Sequence, residues 1–266
     1  MYKILVFVFL ISFLQVYPQQ YRTIRNTAFI RGEKLTFRVA FNSALTGSIT
    51  GGKASLEITG DNKTINNRST FHVVGKGWTT GLIELFYKVD DKFESYFDEK
   101  AFISWQFSRR TRENSYKKDD LVIFRQNDRL AVSLAKVMKV PANVQDILSA
   151  FYYARTLDIS DLKPNGIIEI PFFLDDSVYN SRVIYKGKET VKTKLGKFKC
   201  IVFSPMVATG YAFDDPYPIT IWITDDENRL PVLIESEQSV GRARVELISY
   251  SGLANTITAK LPIDKE

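Results

Sequence analysis

Glu189 to Ser204 reads ETVKTKLGKFKCIVFS, and its alternation decides the fold class. Apolar and polar residues swap position by position, the period of a strand with one packed and one wet face. Leu195-Gly196 interrupts the pattern as a two-residue hairpin turn would. A turn there sets Lys194 opposite Lys197, Thr193 opposite Phe198, Lys192 opposite Lys199 and Val191 opposite Cys200. Val191, Thr193, Phe198, Cys200 and Val202 then share the packed face, and Lys192, Lys194, Lys197 and Lys199 share the other. Like charges opposed across a hairpin repel by roughly a few tenths of a kcal/mol per pair. Such a face either docks an anionic envelope polymer or partner, or protects an exposed strand from aggregation. Cys200 reads as a small buried apolar residue, not a nucleophile.

The same period extends in both directions. Leu35, Phe37, Val39 and Phe41 form one alternating set, Ala54, Leu56 and Ile58 a second, and Ile103, Trp105 and Phe107 a third; Phe71 and Val73 flank His72. Further short strands are read at 121–124, 130–134, 167–173, 178–185, 219–223, 232–234 and 245–250. Turn residues punctuate them, among them Gly51-Gly52, Asp61-Asn62, Pro164-Asn165-Gly166 and Gly187. This predicts a mainly β protein: a curled antiparallel meander forming an open or half barrel. One segment departs from the pattern. In PANVQDILSAFYYARTLD (Pro141 to Asp158), Val144, Ile147, Leu148, Phe151 and Ala154 follow helical spacing. One α-helix is therefore expected near residues 143–157, with Asn143 as its N-cap. No linker or internal repeat divides the chain, so residues 21–266 are expected to form a single β-rich domain.

The N-terminus reads MYKILVFVFLISFLQVY, one cation followed by a short apolar run. This is the layout of a secretory signal peptide over residues 1–20, and it implies an exported protein, periplasmic or extracellular. No later stretch has the length of a transmembrane helix. The whole chain has 266 residues, 45% of them hydrophobic, and a formal net charge of +6, which excludes wholesale disorder. One cysteine excludes an intramolecular disulfide, and one histidine excludes sites needing two imidazoles. Neither a metal nor a cofactor is expected. Nucleic acid is not an expected partner, because the basic residues lack a stripe of interleaved stacking aromatics.

Candidate site residues come from the aromatic excess. In GKGWTTGLIELFYKVDDKFESYF (Gly75 to Phe97), Trp78, Leu82, Phe86 and Phe93 lie behind and beyond several glycines. Glycine-rich flanks permit movement and apolar side chains suit hydrophobic ligands, so the segment reads as a flap or entrance as well as ordinary core. With Trp105, Phe151 and Trp222 these residues are the candidate lining of an apolar groove for a lipid-like or acylated molecule. A non-enzymatic envelope protein is the leading expectation. The lysine hairpin supports an alternative, a protein that docks an anionic partner. A third is a carboxylate-dependent hydrolase, which would need His72, Asp226 or Glu235 to meet in one cleft. The acid pairs Asp175-Asp176, Asp214-Asp215 and Asp225-Asp226 read more simply as turn formers.

Five blocks together resemble a known exported family. They are GEKLTFRVAFN (Gly32 to Asn42), GKGWTTGLIELFYKVDDKFESYFD (Gly75 to Asp98), DILSAFYYAR (Asp146 to Arg155), KGKETVKTKLGKFKCIVFSP (Lys186 to Pro205) and ITIWITDDENRLPVLIESEQSVGRARVELISY (Ile219 to Tyr250). In order and spacing they resemble domain of unknown function 3108. The resemblance implies an envelope protein of a Gram-negative bacterium of the Bacteroidetes type, with a curled antiparallel sheet and no assigned catalytic residues. Trp222, Asp226 and Pro231 also resemble the closing pattern of periplasmic lipoprotein carriers with half-barrel folds, a likeness at the level of fold.

Overall fold

The computed structural model describes residues 21–43, 47–206, 216–238 and 241–262. The expected signal peptide and Asp214-Asp215 lie outside these residues. The first strands are β1 (Lys34–Ser43), β2 (Gly47–Ile58), β3 (Thr64–Ile65) and β4 (Arg68–Thr79), followed by helix α1 (Leu82–Phe86). Next come β5 (Asp90–Asp98), β6 (Ser104–Glu113), β7 (Tyr116–Arg125), β8 (Leu130–Ser133), β9 (Val137–Lys139) and β10 (Gln145–Asp146). After helix α2 (Ile147–Ala154) the chain forms β11 (Ile167–Leu174), β12 (Ser177–Thr193), β13 (Gly196–Pro205), β14 (Ile219–Thr224), β15 (Pro231–Gln238) and β16 (Gly241–Ser251).

All these strands belong to one sheet. From β10 at one edge it runs through β11 to β16 in sequence order, crosses to β1 and β2, and continues from β4 to β9; β3 pairs with β4 alone. The β10–β11 pair is parallel, and the pairs along the rest of the path are antiparallel. Register shifts at Thr36/Phe37, Val39/Ala40, Tyr96/Phe97, Tyr185/Gly187 and Trp222/Ile223 interrupt the ladders. Each adds local right-handed twist, and together they curl the sheet. The curl brings Phe124 of β7 edge to face with Phe173 of β11, their rings 5.6 Å apart. Edge strands β9 and β10 do not pair with each other, so the barrel stays open along a seam.

Glycine explains two turns that moved. The sequence places a turn at Gly51-Gly52, yet both residues lie inside β2. A Cβ at Gly52 would stand 2.6 Å from the Trp78 carbonyl oxygen, so this glycine serves a close strand approach beside a bulge. Gly187 likewise sits inside β12 at a bulge, with φ of +114°.

The lysine hairpin also turns one residue earlier than expected. Thr193 pairs with Gly196, Lys192 with Lys197 and Val191 with Phe198, leaving Lys194-Leu195 as the turn. The Thr193 hydroxyl holds it there, accepting from Leu195 N at 3.2 Å and donating to Gly196 O at 3.1 Å. Each cross-strand partner moves by two positions, an even shift, so the faces keep their composition.

Helix α2 is shorter than expected and begins later. Asn143 is not its cap; it stands in the left-handed region at φ +59°. The chain stays extended through Gln145-Asp146 to pair with β11. Asp146 then caps the helix, accepting from Leu148 N and Ser149 N at 2.9 Å each, while the Ser149 hydroxyl accepts from Asp146 N at 2.9 Å. The other Asp146 oxygen accepts from Ser95 and Ser104 at 2.6 Å each, which pins the helix start to β5 and β6. The helix packs over Gly75, where a Cβ would meet Leu56 Cδ2 at 3.3 Å and Leu148 Cδ2 at 3.6 Å. Around it Phe29, Ile58, Phe71, Phe97, Phe102 and Tyr152 form an aromatic-rich core. The second helix, α1, is a single turn that the sequence reading did not separate from its flap.

Candidate functional site

A cleft opens at the seam. Phe107 and Val122 from one end of the sheet meet Phe173 and Leu174 from the other, lining a cleft of about 360 Å³. Leu121, Ser133 and Leu134 extend the lining, and Lys118, Asp119, Asp120, Asp175 and Asp176 add charge that is mostly negative. The β11–β12 turn closes one end. Asp175 and Asp176 have φ of +47° and +53°, the backbone of a two-residue hairpin turn. From that turn the Asp175 carboxylate takes Lys118 Nζ at 2.6 Å and also pairs with Arg109 Nη2. Arg109 in turn holds Asp120, its Nε at 2.9 Å from Oδ2. Burial pushes the Asp175 carboxyl up, but the hydrogen bonds from Arg109 and Lys118 outweigh it and hold it below the usual carboxylate range. At the other end the seam is tied by Ser104 N donating to Val144 O at 3.2 Å and by Gln126 Nε2, which donates to Ser104 O at 2.6 Å and Val144 O at 3.0 Å.

Of the candidate groove residues, Phe93 packs against the residues behind this cleft, and the rest lie elsewhere. Trp105 is buried with Ala101 and Ile103, its ring edge-on to Tyr21. Phe93 and Phe151 pack against the aromatic core under α2, and Phe93 packs as well against the Phe107, Val122 and Phe173 cluster behind the cleft, its ring 6.3 Å from that of Phe107. Trp222 is half-buried against the Leu35–Phe198 cluster and its indole donates to Glu189. Trp78 stands near the end of β4, and Leu82 and Phe86 stand in α1, which follows it. These three are close in sequence, whereas the others were joined only by being aromatic.

Lys192, Lys194, Lys197 and Lys199 are all exposed on the β12–β13 hairpin. Cys200 is fully buried there, and burial pushes its thiol up to about 12. The acids and the histidine occupy three separate places. Asp226 organises a turn, accepting from Thr224 Oγ1 at 2.7 Å and from Thr258 N and Ala259 N at 3.2 Å each. Glu235 pairs with Arg244 at 2.7 Å and Arg242 at 3.3 Å. His72 is held between Asp61, 3.0 Å from Nδ1, and Glu94, 3.3 Å from Nε2, and stacks on Tyr96 with centroids 4.2 Å apart. The cleft that a hydrolase would need is therefore not formed by these residues. Among the described residues no group of three or more His, Cys, Asp or Glu side chains is arranged to hold a metal. No described helix is long and apolar enough to cross a membrane.

The Asp175 clamp escaped the sequence reading. Its local signal, two adjacent aspartates before serine, marks a turn; its partners on β6 and β7 are visible only once the sheet has curled.

One curled, unclosed antiparallel sheet with a side-chain-held seam defines a barrel-like protein. Residues 36–248 match the family described as "Protein of unknown function (DUF3108)", and the chain belongs to that family. Among solved structures it is similar to the beta-barrel-like protein of domain of unknown function DUF1849 from Brucella abortus, with a TM-score of 0.54 and 11% identity. That likeness covers 87% of this chain and 99% of the other, and at such identity it is one of fold. No curated protein matches.

Proposed function

We propose that the protein is a non-enzymatic component of the cell envelope, exported to the periplasm, that binds a lipid-like or acylated molecule in the seam of its curled sheet. The observation that carries this reading is the seam cleft, where exposed Leu121 and Leu134 and half-buried Leu174 lie over the buried Phe107, Val122 and Phe173, with Lys118 and four aspartates around them. Its volume of about 360 Å³ falls at the small end of ligand sites, roughly 300–1,000 Å³. That suits one acyl chain or ring system better than a whole phospholipid. Apolar burial would supply the affinity, at about 0.8 kcal/mol per buried CH₂ before association costs.

Titration of the purified protein with the fluorescent fatty acid cis-parinaric acid tests the reading. Saturable binding is expected, weakened about tenfold, or roughly 1.4 kcal/mol, by Leu134→Lys, since Leu134 lines the cleft and is 75% exposed. Absence of saturable binding, or the same affinity in Leu134→Lys and Leu174→Lys, would sink it.

A further inference from the structure

The segment between β4 and β5 is tethered at both ends and apolar in the middle. At its base Thr79 N donates to Val89 O at 3.2 Å and Val89 N to the Thr79 hydroxyl at 2.9 Å. Asn114 clasps the return, its N donating to Lys88 O and its Oδ1 accepting from Lys88 N, both at 2.8 Å. Thr80 N donates to Gly51 O at 3.0 Å, and Ile83 rests on β2, where a Cβ at Gly51 would stand 3.7 Å from Ile83 Cγ1. With Ile83 turned inward, the rest of α1 faces water. Leu82, Leu85 and Phe86 are 76%, 78% and 82% exposed, and Tyr87 is 47% exposed. A contiguous apolar display on a fixed scaffold marks an interaction surface.

Charge beside the display identifies the partner. The register sets Lys53 opposite Trp78, and Lys76, on the same side of β4, opposite Lys92, which faces Arg110. Lys92 is answered by Glu94 at 2.8 Å and Arg110 by Asp90 at 3.2 Å. Lys53, Lys76 and Lys88 are exposed and have no ion-pair partner among the described residues; the acids nearby are exposed Glu84 within α1, Glu113, which accepts from the Tyr87 hydroxyl at 3.2 Å, and Asp91, which accepts from Arg112 N at 2.8 Å. Three unanswered cations around exposed Leu and Phe, with Trp78 and Tyr87 between them, are the make-up of a peptide that lies in a bilayer interface. We propose that this rim docks the protein on an anionic phospholipid bilayer, with Leu82, Leu85 and Phe86 inserted and Lys53, Lys76 and Lys88 against the head groups. The surface is separate from the seam cleft and does not depend on what that cleft binds.

Flotation of the purified protein with phosphatidylcholine vesicles, with and without phosphatidylglycerol, tests the proposal. Binding to the phosphatidylglycerol vesicles is expected, with a blue shift of tryptophan emission that Trp78→Phe removes. Phe86→Glu should lower partitioning at least tenfold, and Lys53→Glu with Lys76→Glu should abolish the preference for anionic vesicles; circular dichroism checks that each variant folds. Leu134→Lys should bind vesicles as the wild type does, which separates this proposal from the seam reading. Failure to float with either vesicle, or flotation indifferent to Phe86→Glu, overturns it. So does concentration-dependent dimerisation that Phe86→Glu abolishes without vesicle binding, which would give the display to a second copy of the chain.

Discussion

Arg155 and Glu33 form an ion pair in the interior, their side chains 2% and 0% exposed. The geometry is bidentate, Nη1 to Oε1 at 2.6 Å and Nη2 to Oε2 at 2.8 Å, and Nη2 also donates to Asn228 O at 2.8 Å. Burial works against the guanidinium's charge, but the adjacent carboxylate outweighs it and keeps Arg155 above its ordinary value. One contact thus ties the residue after α2 to the segment before β1 and to the β14–β15 turn. Glu33→Leu should destabilise the fold by about 3–5 kcal/mol, because it strands a buried cation. Adding Arg155→Met should recover most of that loss. Chemical denaturation of the three proteins measures both effects; equal destabilisation in the single and double variants would contradict this account. Neither partner announces itself in the sequence. Glu33 and Arg155 are far apart in the chain and each reads as a polar residue beside an apolar pattern. Cys200 was legible because strand parity alone puts it on the packed face. His72 was half legible: parity shows its polar side, but not the two carboxylates that flank it.

Elements were legible where local chemistry decides them. The β12–β13 hairpin emerged with the right faces, since parity survives a two-residue shift, while its turn was misplaced because the Thr193 hydroxyl acts only once the backbone has bent. Glycine was ambiguous in the same way: at Gly52 and Gly187 it serves strand bulges, which look like turns when only composition is read. The start of α2 is set by Ser95, Ser104 and β11, all distant in sequence. The β11–β12 turn shows what such distance conceals, since Asp175 clamps the seam through Arg109 and Lys118. Its folded-state carboxyl lies below the unfolded value of about 3.9. The clamp therefore contributes fully above that value and is lost as pH falls through the lower folded-state value. Thermal midpoints should fall between pH 6 and pH 3, and Asp175→Asn should lower the midpoint at pH 6 while making that fall smaller. An acid-induced fall of the same size in Asp175→Asn would remove the clamp from the explanation.

At the scale of the whole molecule, alternation and turn spacing predicted a mainly β, open-barrel meander, and the sheet has that form. The sheet order and the seam were not in the pattern. Each follows from bulges and from contacts between strands at opposite ends of the path, such as Phe124 with Phe173. A site assembled by curling is invisible to a reading that takes strands one at a time, which is why the seam residues were missed. In the proposed function the open seam would hold an apolar chain, and the proposed docking rim would face the membrane from which such a chain could come. Native mass spectrometry of the protein purified from its own cells, with lipid extraction of the same sample, tests the central claim most directly. A bound species of acyl-lipid mass is expected, depleted in Leu134→Lys; a mass matching the bare polypeptide, with no lipid in the extract, would overturn the seam as a lipid site.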